Sequence, residues 1–242
     1  MYESFFNLKE KPFELTPNPD YLYMSNIHRR ALNYLEYGFS EQAGFILLTG
    51  DVGSGKTTLI RELINRLKNK AIIARVFNTQ INSAQLLGLV NMDFGLDITT
   101  LDKVILLKDL NNFLIDCYSR QQKPLLIIDE AQNLSQEVLE EIRLLSNLES
   151  EKDKLLQIIM VGQPELKEIL EQDSLMQLRQ RLSVSCHLGP LSCEETKNYF
   201  YHRLECAGNR SAIEMPDESF QLMHETCKGI PRLINIFGDY LL

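Results

Sequence analysis

The 242-residue sequence contains no apolar run of membrane-spanning length, so it offers no segment that reads as a transmembrane helix. Its opening, Met1-Tyr2-Glu3-Ser4, lacks the charged-then-apolar layout of a signal peptide. Cysteine is sparse. The five residues Cys117, Cys186, Cys193, Cys206 and Cys227 form no C-x-x-C pair and meet no paired histidine spacing. That excludes a zinc site of ordinary spacing and reads as reduced thiols of a cytosolic protein. Positive charge is not in excess either. A net charge of −8 argues against a globally basic nucleic-acid binder, leaving only a local basic channel open. No internal repeat or low-complexity tract breaks the chain. What remains is a chain expected to be cytoplasmic and 44% hydrophobic, enough for one large domain or one domain with a small appendage.

Against these absences stands one dense motif. Gly50-Asp51-Val52-Gly53-Ser54-Gly55-Lys56-Thr57 fits the phosphate-binding pattern G-x-x-x-x-G-K-[ST]. Phe45-Ile46-Leu47-Leu48-Thr49 precedes it as a buried strand, and Leu59, Leu63 and Leu67 follow at helical spacing. Strand, glycine loop and helix together form a phosphate cradle. The glycines let successive N–H groups face phosphate oxygens, and the helix N-terminus adds partial positive charge. Lys56 is expected to reach the β- and γ-phosphates, and the Thr57 hydroxyl to bind Mg²⁺. Taken out of this context, the same string reads as a glycine turn with an exposed lysine.

The rest of the chain alternates strands and helices. Ser25 reads as an N-cap for a helix carrying Ala31, Leu32, Leu35 and Tyr37. Strands are expected at 71–77, 124–129, 155–161 and 183–188, with helices at 84–94, 103–118 and 134–148. The proline-punctuated opening is expected to be an ordered loop. This pattern predicts a three-layer α/β domain with a parallel sheet over residues 1–188. Beyond Gly189-Pro190 the strands stop, and helices at 194–206, 217–227 and 232–242 predict a small helical appendage over 189–242. The last helix ends without a stop signal, so the native chain is expected to continue.

Leu125-Leu126-Ile127-Ile128-Asp129-Glu130 is the second motif: an apolar strand ending in two carboxylates. Ligands of open α/β sheets sit at the carboxyl ends of strands. Asp129 is expected to orient Mg²⁺ through its waters. Glu130 is placed to polarise a water for attack on the γ-phosphate. An acidic helix start is the plainer reading of the pair. Gln163, ending the strand Met160-Val161-Gly162, suits contact with both water and γ-phosphate, or serves as a simple turn residue. Asn78 fits either a turn or an amide that holds Glu130 back from the water. Arg179 and Arg181 fit an arginine offered to a neighbouring subunit's γ-phosphate, or a solvated charged face. Arg232, after Gly229-Ile230-Pro231, could reach back to the nucleotide or lie exposed at a helix start.

With these pieces in order, the chain resembles an AAA+ ATPase, and more narrowly the ExeA/GspA-like family of general secretion pathway proteins. The resemblance covers essentially the whole chain. It rests on Met1-Tyr2-Glu3-Ser4-Phe5-Phe6 with Lys11-Pro12-Phe13, Tyr21-Leu22-Tyr23, the phosphate loop, and Asp129-Glu130-Ala131-Gln132. Val161-Gly162-Gln163-Pro164-Glu165-Leu166, Leu178-Arg179-Gln180-Arg181 and Gly229-Ile230-Pro231-Arg232 complete it. The resemblance implies a P-loop NTPase αβα core with a helical AAA+ lid. ATP and Mg²⁺ would be bound by Gly50, Asp51, Val52, Gly53, Ser54, Gly55, Lys56, Thr57 and Thr58, with Asp129 beside the metal. Lys56 and Glu130 would carry hydrolysis, Gln163 would stand as sensor 1 where Asn or Thr is more usual, Arg181 or Arg179 would be the arginine finger, and Arg232 sensor 2. The adenine would lie near the loop before Ser25 and the His28-bearing helix. Partners implied are further copies of the chain, in a ring or filament, and a secretion or envelope-export apparatus, with inner-membrane association through a further C-terminal region. A second resemblance, to TnsC-like DNA-binding transposition regulators, is disfavoured by the acidic balance but supported by Lys68–Lys70 and Lys152-Asp153-Lys154. A nucleotide-switched scaffold with little turnover is the third reading.

Overall fold

The computed structural model of the protein describes residues 2–16, 18–77, 79–149 and 154–242. Along the chain run α1 (Tyr2–Phe5), α2 (Asn26–Ser40), β1 (Phe45–Gly50), α3 (Lys56–Leu67), β2 (Ala71–Val76), α4 (Ser83–Asp93), α5 (Lys103–Ser119) and β3 (Lys123–Ile128). There follow α6 (Gln136–Leu145), β4 (Gln157–Gly162), α7 (Glu165–Leu170), α8 (Met176–Arg179), β5 (Leu182–Leu188), α9 (Cys193–Cys206), α10 (Asp217–Cys227) and α11 (Pro231–Leu241). The expected strands are all present, within two residues at each end. The expected helix over 134–148 is shorter, because Ala131–Asn133 takes a 3-10 turn and Ser135 then caps Val138 N–H. The opening segment, expected to be loop throughout, begins with the short helix α1.

The chain divides into two compact units, with the four boundaries falling inside α2, α3 and the last residues of β1 and β5. Residues 31–49 and 63–187 form the sheet unit. Its five parallel strands follow the order β2-β3-β4-β1-β5. Phe45 pairs with Ile158 and Thr49 with Gly162 along β1 and β4, and Ile128 pairs with Met160 along β3 and β4. Every residue of β1 and of β4 is buried, which is why both read as unbroken apolar runs: helices cover both faces of a parallel sheet. On β5 exposure alternates residue by residue until Leu188, the pattern of an edge strand with one solvated face. Leu86, Leu110, Leu114, Val138, Leu139 and Ile142 close one side of the core. Because the strands are parallel, the turns after β3 and β4 leave the same edge of the sheet.

The other unit comprises residues 1–30, 50–62 and 188–242. Its core gathers Phe13, Tyr21, Leu191, Tyr199, Phe200, Leu204, Phe220, Met223 and Ile234. Phe200 stacks on Phe13 at 4.8 Å and meets Phe220 edge-on at 5.7 Å. The opening segment is tied to α9 by Arg203, a buried arginine whose guanidinium donates to Pro12 O (2.5 Å) and Glu14 O (3.0 Å) and lies over the Tyr21 ring. A buried arginine of this kind holds its place because carbonyls and a ring face replace the lost water. Glu195 closes a capping box with Ser192 and also accepts from Asn26 N, so the starts of α9 and α2 share one carboxylate. Phe200→Ala is expected to cost about 3–5 kcal/mol through lost burial and the residual cavity, read as a lower urea-denaturation midpoint; a change within 0.5 kcal/mol would remove Phe200 from the centre of this core.

Candidate functional site

The glycine loop lies in the unit of residues 1–30, 50–62 and 188–242. Gly53 and Gly55 hold φ angles of 81° and 98°, a left-handed region that glycine enters without a β-carbon penalty. Neither position has room for one. A β-carbon on Gly53 would lie 2.5 Å from Arg232 Cβ, and one on Gly55 would lie 2.9 Å from His28 Nε2. Lys56 opens α3, is buried, and its ammonium donates to Gly50 O (2.7 Å) and Asp51 O (3.0 Å). Thr57 and Thr58 follow in the first turn of α3, while Asp51 and Val52 are exposed at the loop's tip.

Two elements brace this loop from behind. The Arg232 backbone N–H, in the first turn of α11, donates to Gly53 O (3.3 Å). His28 Nε2 lies 3.0 Å from Ser54 O, and His28 Nδ1 lies 2.7 Å from Ser25 Oγ. A carbonyl can only accept, so Nε2 carries the hydrogen and Nδ1 accepts from the Ser25 hydroxyl. Burial lowers the His28 pKa and outweighs the Ser54 carbonyl, which raises it; the ring is neutral at pH 7. The Ser54 hydroxyl is buried and has no protein partner among the described residues. An open cleft of about 560 Å³ lies in the same unit, floored by Ile27, Pro190 and Leu191 and rimmed by Ser192, Glu195 and Lys228.

The carboxylates stand in the sheet unit. Asp129 directly follows β3, is buried, and its Oδ1 accepts from Glu130 N (2.9 Å) while its own N–H donates to Val76 O. Glu130 adopts φ 51°, ψ 38°, a left-handed conformation that costs about 1–3 kcal/mol for a non-glycine residue and clusters at functional sites. The 3-10 turn that follows folds Gln132 back, so that its Nε2 donates to Glu130 Oε2 at 2.6 Å. Gln163 Nε2 donates to the same oxygen at 3.3 Å. Gln132 Oε1 in turn accepts from Gln163 N (3.1 Å). Glu130, Gln132 and Gln163 therefore form one clasp between the ends of β3 and β4, with both amides on Oε2.

The sequence marks Glu130 and Gln163, but neither the contacts made by Gln132 nor the loop-bracing role of His28. The only local signal for Gln132 is an amide two residues beyond a strand-end acid. Asn78, the amide expected to hold Glu130, lies outside the described residues, as do Lys152 and Asp153. Arg179 and Arg181 lie apart from the clasp. Arg179 is exposed and donates to Glu171 O (3.1 Å), and Arg181 donates to Ser146 Oγ (2.8 Å). Neither pairs with a carboxylate among the described residues.

The loop's donors suit a polyphosphate: a left-handed glycine curl, a helix N-terminus and a lysine ammonium resting on the loop itself. The hydroxyl of Thr57 and the carboxylate of Asp129 are hard oxygen donors of the type Mg²⁺ takes. Comparisons with known proteins agree with this chemistry. The family described as AAA domain matches residues 40–170, more than half of the chain. General secretion pathway protein A of Aeromonas hydrophila is 42% identical over 243 aligned residues, covering all of this chain and 44% of that protein. The chain thus spans less than half the length of this curated relative. Among solved structures, the Aeropyrum pernix ORC2 protein in its ADPNP-ADP complexes is similar with a TM-score of 0.69 at 16% identity, over 94% of this chain and 64% of that one. The Drosophila ORC bound to DNA gives 0.70 at 15% identity, over 94% and 57%; identities this low speak for the fold alone. No helix among the described residues is long and apolar enough to cross a membrane. Sequence identity along its full length, on a parallel sheet with this glycine loop, makes the chain a member of the AAA+ ATPases, in the ExeA/GspA-like family.

Proposed function

We propose that the chain binds Mg-ATP on residues 50–58 and hydrolyses it, in an assembly of like chains that drives construction of a bacterial secretion or envelope-export apparatus. The observation that carries the enzymatic part is the loop, with its two left-handed glycines and the buried Lys56 folded onto it. Lys56 would turn from the loop carbonyls to the β- and γ-phosphates, and the adenine would take the cleft beside Ile27 and Leu191. Thr57 and Asp129 would hold Mg²⁺, which when bound neutralises charge on the phosphate oxygens. Glu130 would accept the proton of the attacking water as the γ-phosphorus parts from the bridging oxygen. Its Oε2 is already engaged by Gln132 and Gln163, which leaves Oε1 to face that water and keeps the carboxylate's orientation fixed.

Arg181 or Arg179 would serve a neighbouring copy's γ-phosphate, consistent with the absence of a carboxylate partner for either among the described residues. Arg232 would report phosphate state to the helices over 189–242, acting as a lid, because the first turn of α11 rests on Gly53. The family relationship to General secretion pathway protein A supports the pathway.

Glu130→Gln is expected to lower Mg²⁺-dependent ATP hydrolysis about 10²–10⁴-fold while ATP binding persists; an unchanged rate would take Glu130 out of the mechanism. Arg181→Ala should be inactive alone, with a loss of about 10³–10⁵, and regain activity when mixed with Glu130→Gln, since mixed assemblies pair an intact carboxylate with an intact arginine. Absence of any recovery, with Arg179→Ala behaving likewise, would overturn completion of the site in trans. In cells carrying only the Glu130→Gln form, secreted proteins should accumulate inside. Normal export there, together with ATP-dependent, salt-sensitive DNA binding of the purified protein, would move the pathway assignment to DNA handling.

A further inference from the structure

The contact between His28 and the phosphate loop has a directional consequence for the loop. The imidazole meets Ser54 O at 3.0 Å and is itself held from the other side by Ser25 Oγ at 2.7 Å. Ser25 Oγ also accepts the His28 backbone N–H at 3.3 Å, so hydroxyl and ring are locked at the start of α2. The ring is almost wholly buried, with 3% of the residue exposed, and its Nε2 edge is what a β-carbon on Gly55 would strike. His28 thus presses on one peptide group, the one joining Ser54 to Gly55.

A trans peptide is planar, and its C=O and N–H point to opposite sides. Fixing the Ser54 carbonyl toward the ring therefore fixes the Gly55 N–H away from it. The Gly55 N–H makes no backbone hydrogen bond among the described residues, and it sits at the turn into α3, whose first-turn N–H groups have no intrahelical acceptors. The neighbouring Gly53 carbonyl is likewise taken from behind, by Arg232 N–H. A glycine at φ 98° has little intrinsic preference for either orientation of its peptide, so an outside hydrogen bond decides it.

We propose that His28 is a positioning residue for the phosphate loop: by holding the Ser54 carbonyl, it aims the Gly55 N–H at the bound polyphosphate. This rests on the reading of residues 50–58 as the ATP site. His28 acts through the backbone and does not itself touch the substrate. With the Ser54 carbonyl released, the peptide is free to rotate, and the loop presents an acceptor where a donor is needed.

The test compares His28→Gln, which keeps a donor of similar reach, with His28→Leu, which keeps bulk without a donor. Affinities for ATP, ADP and adenosine are measured by calorimetry on the whole chain. His28→Leu is expected to lose about tenfold for ATP and ADP, the scale of one hydrogen bond to a charged group. Adenosine affinity should be unchanged, and His28→Gln should recover most of the loss. A structural role alone would lower all three affinities together and would not be rescued by glutamine. Equal ADP affinity in the Leu and Gln variants, with wild-type binding intact, overturns this inference and leaves the ATP site standing. A wild-type chain that binds neither ATP nor ADP overturns the ATP reading itself. If His28→Leu fails to fold, Ser25→Ala replaces it: loss of the ring's anchor should weaken ADP binding with adenosine unaffected, and an unchanged ADP affinity there counts against the proposal equally.

Discussion

Everything at the glycine loop depends on the orientation of a few peptide groups. A phosphate cradle needs N–H groups facing inward, and the carbonyls of the same peptides must then find partners outside. Here Gly53 O is met by the start of α11 and Ser54 O by His28. The absence of side chains at Gly53 and Gly55 is what lets Arg232 and His28 come that close. The loop is thus less a flexible glycine tract than a backbone held from behind by two helices. Those helices are distant in sequence, one near each end of the chain.

The sheet unit solves a different problem, that of presenting a carboxylate without letting it wander. β3 delivers Asp129 and Glu130 at the edge of the sheet, beside the end of β4. A left-handed Glu130 and the 3-10 turn after it bring Gln132 back onto the carboxylate, and Gln163 closes the clasp from β4. Two amides on one oxygen leave Oε1 outside the clasp. They also connect the carboxylate to the β4 terminus, so a shift of either strand end would be felt by Glu130.

Most of the sheet was legible because buried parallel strands show as short continuous apolar runs, as in Phe45–Leu48, Leu125–Ile128 and Ile158–Val161. Capping chemistry placed the start of α2 at Ser25 correctly. Short elements escaped: α1, α7 and α8 run for four to six residues, too few for a helical period to register. Of the candidate residues, the glycine loop and, separately, Asp129, Glu130 and Gln163 are visible as local strings. The contact Gln132 makes depends on a turn geometry that no pattern of residue types specifies.

By itself the sequence determined the alternation of strands and helices, the phosphate motif and the acids at the end of β3. These are local properties, set by side-chain periodicity and by glycine's freedom at positive φ. Only the tertiary structure decided which groups hold those motifs in a working orientation. His28 and Ser54 are 26 residues apart, and Gln132 and Gln163 are separated by 31. Such pairs are set by packing across elements, where a single hydrogen bond selects among backbone orientations that the local chain leaves nearly equal in energy.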